Sequence, residues 1–136
     1  MWEHFVHGAD IGIRGRGATR DDAFAEAARA LTAVVTELDS VAPRLEVPIR
    51  CDAPDDELLL VAWLNAVIYE MATRRMLFGR YEVCTHDHRL VATAWGEPVD
   101  ISRHHPAVEP KGATMTALRV ACEPDATWLA QTVIDV

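Results

Sequence analysis

Two aspartates and one lysine are the residues of this 136-residue chain whose types and placement could do chemistry. Asp10 lies in FVHGADIGIRGRG, from Phe5 to Gly17, a strand-sized segment that holds a histidine, an acid, two arginines and four glycines where a core would want apolar residues. Asp135 lies in VIDV, inside a run that otherwise reads as a strand, and Lys111 lies in EPKGATM just before another. First and last strands commonly neighbour one another in a compact sheet, which would bring Asp10 and Asp135 to one rim. Two carboxylates that close repel unless a cation sits between them. Oxygen donors alone, here Asp10, Asp135 and the Val136 carbonyl or terminal carboxylate, suit calcium or magnesium rather than zinc. The plain alternative is two exposed aspartates that never meet and a solvated turn lysine.

Other motifs carry weaker chemistry. GIRGRG has the spacing GxxGxG, with no Gly-Lys-Ser/Thr and no dinucleotide fingerprint, so its glycines are assigned to a bulge or to a turn leading into the first helix. Histidines occur as His86-Asp87-His88 and His104-His105, without HExxH spacing or a cysteine partner, and read as surface turn residues rather than zinc ligands. Cys51, Cys84 and Cys122 are far apart, with no CxxC pair, and read as reduced structural residues.

Half of the residues are hydrophobic, enough for one sizeable core, so a single domain spanning 1–136 is expected. No apolar run is long enough for a membrane span, and MWEHFVHGAD lacks the pattern of an export signal, which points to a cytoplasmic protein. The formal charge of −8 repels phosphate and disfavours direct nucleic-acid binding. A connection to RNA would then run through a partner protein.

These residues must be positioned by an α+β framework. Phe24, Ala27, Leu31, Val34, Val35 and Leu38 recur at helical steps, and Thr19 can cap a helix over Thr19–Leu38 with Asp21 and Asp22 in its first turn. A second helix is predicted over about Asp55–Arg75. Its run LLLVAWLNAVIY is apolar most of the way round, so it should lie between layers. Asn65, the polar member, reads as a satisfied amide or an edge residue. Leu45–Cys51 alternates as a strand, and Pro48 places it at an edge. Phe78–Thr85, Arg89–Trp95, Thr114–Glu123 and Thr127–Val136 read as further strands. Short turns between them imply a mostly antiparallel sheet with two long helices packed on it.

In this order the motifs resemble the archease family. HGADIGIRGRG followed by DDAFAEAARAL is similar to the archease opening; DDELLLVAWLNAVIY is similar to its central helix with a Trp-Leu-Asn signature. GEPVDISRHHPAVEPKGATMTALRV resembles its Gly-Glu turn, histidine and lysine stretch, and VIDV its closing Ile/Leu-Asp-Ile. The resemblance covers essentially the whole chain. It implies a non-catalytic accessory protein for an RtcB-type RNA ligase, promoting ligase guanylylation and multiple turnover in tRNA splicing or RNA repair through an acidic metal site and a lysine. Carried over by motif, the functional positions are Asp10, Lys111 and Asp135, with Asp10, Asp135 and Val136 as metal ligands for calcium, or for magnesium or manganese. Gly8 stands where the family usually has Thr, Gly112 where it has Ala, and Met115 where it has Tyr. Asp55 and Asp56 are read as helix caps. The competing reading is a stand-alone metal-dependent phosphoester hydrolase, for which two carboxylates are thin coordination and no general base is evident.

Overall fold

A hairpin opens the chain in the computed structural model, which describes residues 1–136. Strands β1 (Trp2–His7) and β2 (Asp10–Gly17) pair antiparallel across a turn in which Gly8 takes φ of 60°. That left-handed conformation is one a β-branched residue rarely enters, so glycine in place of threonine suits this turn. The segment expected to be one strand is therefore two, folded back at Gly8 and Ala9.

Helix α1 (Arg20–Val35) follows, capped by Thr19, whose hydroxyl accepts the Asp22 N–H at 3.1 Å. It ends before the expected Leu38. Thr36 turns extended and its hydroxyl donates to the His104 carbonyl at 2.5 Å, after which Leu38–Ser40 form a single 3-10 turn. Strand β3 (Leu45–Asp52) leads to helix α2 (Asp56–Arg74), capped by the Asp55 carboxylate on the Leu58 N–H and closed by a left-handed Arg75. Strands β4 (Met76–His86) and β5 (Arg89–Pro98) form a second hairpin, followed by the four-residue helix α3 (Ile101–His104). The chain ends with β6 (Gly112–Ala113), β7 (Arg119–Cys122) and β8 (Trp128–Asp135).

The strands form two antiparallel sheets rather than one. The first runs β1-β2-β8-β6, with β7 also on β8, and the second runs β3-β5-β4, with β3 at an edge as Pro48 requires. Of the expected strand over Thr114–Glu123 only Arg119–Cys122 forms, as β7; Thr114 to Leu118 are a turn that separates it from β6. Thr132 Oγ donates to the Thr114 and Thr116 carbonyls, Gln131 Nε2 donates to the Ala117 carbonyl, and Ala117 takes φ of 55°. Side chains of β8 thus take up groups that a continuous ladder would have used.

Both helices touch both sheets: α1 packs on β2 and β8 of the first and on β4 of the second, and α2 contacts β3 to β5 as well as β6 to β8. That is the layered position its all-round apolar run implied. The core they enclose holds 28 buried residues, with Trp63, Phe24 and Phe78 among the largest. Trp63 donates its indole N–H to the Phe24 carbonyl at 3.0 Å and meets Tyr81 edge-on at 5.9 Å. Thr32 satisfies the polar end of this cluster, donating to the Phe78 carbonyl at 2.6 Å and bonding the Tyr81 hydroxyl at 2.7 Å.

The glycines of GIRGRG serve neither a bulge nor a turn. Gly15 lies within β2, and a Cβ there would come within 2.3 Å of the Ala23 carbonyl oxygen and the Ala27 nitrogen. Glycine at this point lets the backbone of α1 lie directly on the strand that begins with Asp10. The cysteines also differ from expectation. Cys84 and Cys122 are exposed; only Cys51 is partly buried, where burial pushes its thiol up to about 11, and all three are free. No helix is long and apolar enough to cross a membrane.

Candidate functional site

Asp10 opens β2 and Asp135 closes β8, and these two strands are neighbours. Their antiparallel ladder pairs Ile11 with Ile134, so the next rung at that end of the sheet belongs to Asp10 and Asp135. The neighbour of the last strand is the second strand rather than the first, because the opening segment is a hairpin. Lys111 reaches the same place from the other side of β8: its N–H donates to the Asp135 carbonyl at 2.8 Å, and Gly112 pairs with Asp135 in β6. Hence the topology gathers Asp10, Asp135 and the Lys111 backbone at one end of three consecutive strands. Val136 follows directly, half-buried against the core.

Asp10 is half-buried, while Asp135 and Lys111 are exposed. The ion pairs of the chain engage other acids, including Glu3, Glu26, Asp56, Glu97 and Glu123, and leave the carboxylates of Asp10 and Asp135 outside them. Carboxylates left outside every ion pair offer the oxygen donors that a hard cation prefers, with water completing its shell. The chain adds no third ligating side chain: no group of three or more His, Cys, Asp or Glu residues is arranged to hold a metal. A metal here would depend on Asp10, Asp135 and the backbone or terminal oxygens of Val136.

Asp55 and Asp56 do not contribute. Asp55 is the α2 cap, and Asp56 pairs with Arg20 at 2.5 Å. Arg20 also donates to Thr85 Oγ, which donates to Asp21, so the starts of both helices are tied to the end of β4.

Two polar residues hold the approach to Lys111. One is Asn65, read from the sequence as a satisfied amide or an edge residue and taken up below. The other, whose role sequence reasoning missed, is Glu97, at the end of β5 and only 1 % exposed. Its carboxylate accepts from Arg103 at 2.7 Å, from the Ala42 N–H at 2.7 Å and from His104 Nε2 at 3.0 Å. The Asp100 N–H donates to His104 Nδ1 at 2.8 Å, so the ring proton sits on Nε2 and points at Glu97. His104 is therefore a buried structural histidine, not the surface turn residue expected, whereas His86, His88 and His105 are exposed. An acid directly after Gly96 at a strand end was the available signal. The segment it anchors runs on through Ala107, whose N–H donates to the Val35 carbonyl at 2.8 Å, to Lys111.

Arg103, then the Ala42 N–H and His104, hold the Glu97 carboxyl well below the usual carboxylate range. A group so depressed stabilises the fold fully above its ordinary value of 4.5 and loses that contribution as pH falls through its folded value. Glu97→Gln is expected to lower stability at neutral pH by about 2 kcal/mol, since hydrogen bonds to a buried charge are lost while Arg103 stays half-solvated. It should also flatten the fall in stability below pH 4.5. Urea unfolding across pH checks this; an acid limb parallel to wild type would remove Glu97 from the account.

Antiparallel sheets, two long helices wedged between them and an acidic strand end with an adjoining lysine define a small α+β protein with one polar end. Comparison with known proteins places it. The model of the Archease protein family (MTH1598/TM1083) matches residues 2–136. The chain is 34 % identical to "Protein archease" of Pyrococcus furiosus over 140 residues, covering 100 % of this chain and 99 % of that one. It is 35 % identical to "Protein archease" of Thermococcus gammatolerans over 139 residues, covering 99 % and 98 %. Two solved structures share the fold. The solution structure of Methanobacterium thermoautotrophicum protein 1598 matches with a TM-score of 0.80 at 24 % identity, covering 99 % of this chain and 98 % of that one. The crystal structure of a Thermotoga maritima archease, described as a possible chaperone, matches at 0.64 and 16 %, covering 97 % and 94 %. The chain belongs to the archease family.

Proposed function

We propose that this chain is a non-catalytic accessory protein that promotes guanylylation and multiple turnover of an RtcB-type RNA ligase, in tRNA splicing or RNA repair. The observation that carries the reading is the meeting of Asp10, Asp135 and the Lys111 backbone at one end of β2, β8 and β6. In this reading Asp10 and Asp135, with oxygens of Val136, hold a divalent cation, calcium first and magnesium or manganese as alternatives. The cation supplies positive charge at an otherwise acidic end. The two carboxylates bring oxygen ligands, and Lys111 brings a mobile ammonium for a phosphate or carboxylate of the partner. The net charge of −8 favours docking on the basic RNA-binding face of a ligase over direct binding of RNA. The hydrolase alternative gains little from the geometry, because no third His, Cys, Asp or Glu joins the two carboxylates in a metal-holding group.

The test is to add the purified chain to an RtcB-type ligase with GTP and a divalent metal and to follow guanylylation of the ligase. The expected result is a higher rate and yield of guanylylated ligase and more than one ligation per enzyme. A ligase that behaves identically with and without the chain would overturn the proposal.

A further inference from the structure

The lysine-bearing strand is short, lies at the edge of its sheet and departs from a regular ladder. Gly112 pairs with Asp135 and Ala113 with Ile134, and the Thr114 N–H continues this register onto the Val133 carbonyl at 3.0 Å. Yet the Lys111 N–H also reaches the Asp135 carbonyl. Lys111 and Gly112 thus stand together opposite a single residue, which is the arrangement of a β-bulge, a device that re-aims a side chain. In the same register Ala113 is the residue whose N–H points away from β8, where an edge strand has no partner to offer.

Helix α2 supplies that partner. Asn65 Oδ1 accepts the Ala113 N–H at 2.8 Å, and about two turns earlier on the helix Glu57 accepts the Val120 N–H of β7 at 3.2 Å. Asn65 is exposed where it interrupts an apolar run, and its side-chain oxygen is taken up by the edge strand rather than by its own helix. Its fit to the bulge is close: a Cβ on Gly112 would lie 3.4 Å from Asn65 Oδ1, an ordinary contact that also accommodates alanine.

We infer that Asn65 is a positioning residue: it locks the bulged edge strand through the Ala113 N–H and so holds Lys111 beside Asp135. The inference rests on the reading that Lys111 acts in ligase activation. What matters is the acceptor oxygen of Asn65, not its amide donors.

Two variants separate these roles. Asn65→Leu keeps the size and removes the acceptor; Asn65→Asp keeps the acceptor and removes the donors. Asn65→Leu is expected to exchange its Ala113 amide hydrogen faster than wild type, to keep its melting temperature and to stimulate ligase guanylylation about tenfold less. Asn65→Asp is expected to restore both Ala113 protection and stimulation. Loss of stimulation in Asn65→Asp equal to that in Asn65→Leu would overturn the inference, as would unchanged Ala113 exchange in Asn65→Leu. If Lys111→Ala stimulates as well as wild type, the functional reading of Lys111 fails, and the Ala113 exchange measurements still decide whether Asn65 holds the strand.

Discussion

Asp135→Ala is expected to lower stimulation of ligase guanylylation on the order of 100-fold, with the fold intact. The residue sits at the last position of β8 and is exposed, so its side chain adds little to the core. Its backbone carbonyl, which receives the Lys111 N–H, survives the substitution and leaves β6 in place. Only the carboxylate is lost, which isolates the chemistry from the architecture. Guanylylation assays beside circular dichroism check both halves of the expectation. Stimulation equal to wild type would remove the carboxylate from the mechanism, and a collapsed fold would show that the rung is structural.

Trp63→Ala should have the largest effect on stability, about 3–5 kcal/mol, because it deletes a fully buried aromatic side chain and leaves a cavity among large neighbours. Against a typical total of about 5–15 kcal/mol, such a loss brings the chain close to unfolding at ambient temperature. Trp63→Phe keeps much of the volume but leaves the Phe24 carbonyl without the indole N–H, so a smaller loss of about 1 kcal/mol is expected beyond the lost volume. Tyr69, exposed on the same helix, serves as the control, with Tyr69→Ala changing stability by no more than about 0.5 kcal/mol. Urea midpoints measure all three. A Trp63→Ala midpoint near that of wild type would show that Trp63 does not hold the helices and sheets together.

Trp63 also shows how the sequence could be read. Its helix announces itself through a capping aspartate, an apolar run and a basic end, all local signals, and the structure places its limits within a residue of expectation. The strands β4, β5 and β8 were legible for the same reason: period-two alternation is local. The division into two sheets was not, because strand partners are set by how α1 and α2 wedge between layers, and no short-range pattern encodes that. The break between β6 and β7 comes from Thr132 and Gln131, distant in sequence, binding loop carbonyls.

The site was legible in outline. Asp10, Lys111 and Asp135 stand out as polar residues at or beside strand ends, and a family resemblance supplied the roles proposed for them. Their meeting depends on the β2–β8 register, which only the fold reveals. Gly15 illustrates the opposite error: a glycine-rich motif resembles a loop in sequence, yet its reason is the close approach of α1. His104 was read as a surface turn residue and Glu97 as part of a turn, because each is ordinary alone and significant only as a buried pair.

The central claim is that Asp10 and Asp135 act together on one divalent cation, and calorimetric titration of the isolated chain with calcium, with magnesium in parallel, tests it most directly. Wild type and Lys111→Ala should bind at a single site, and Asp10→Ala and Asp135→Ala should each lose that binding. No binding by wild type, or variants of either aspartate that titrate like it, would contradict the account.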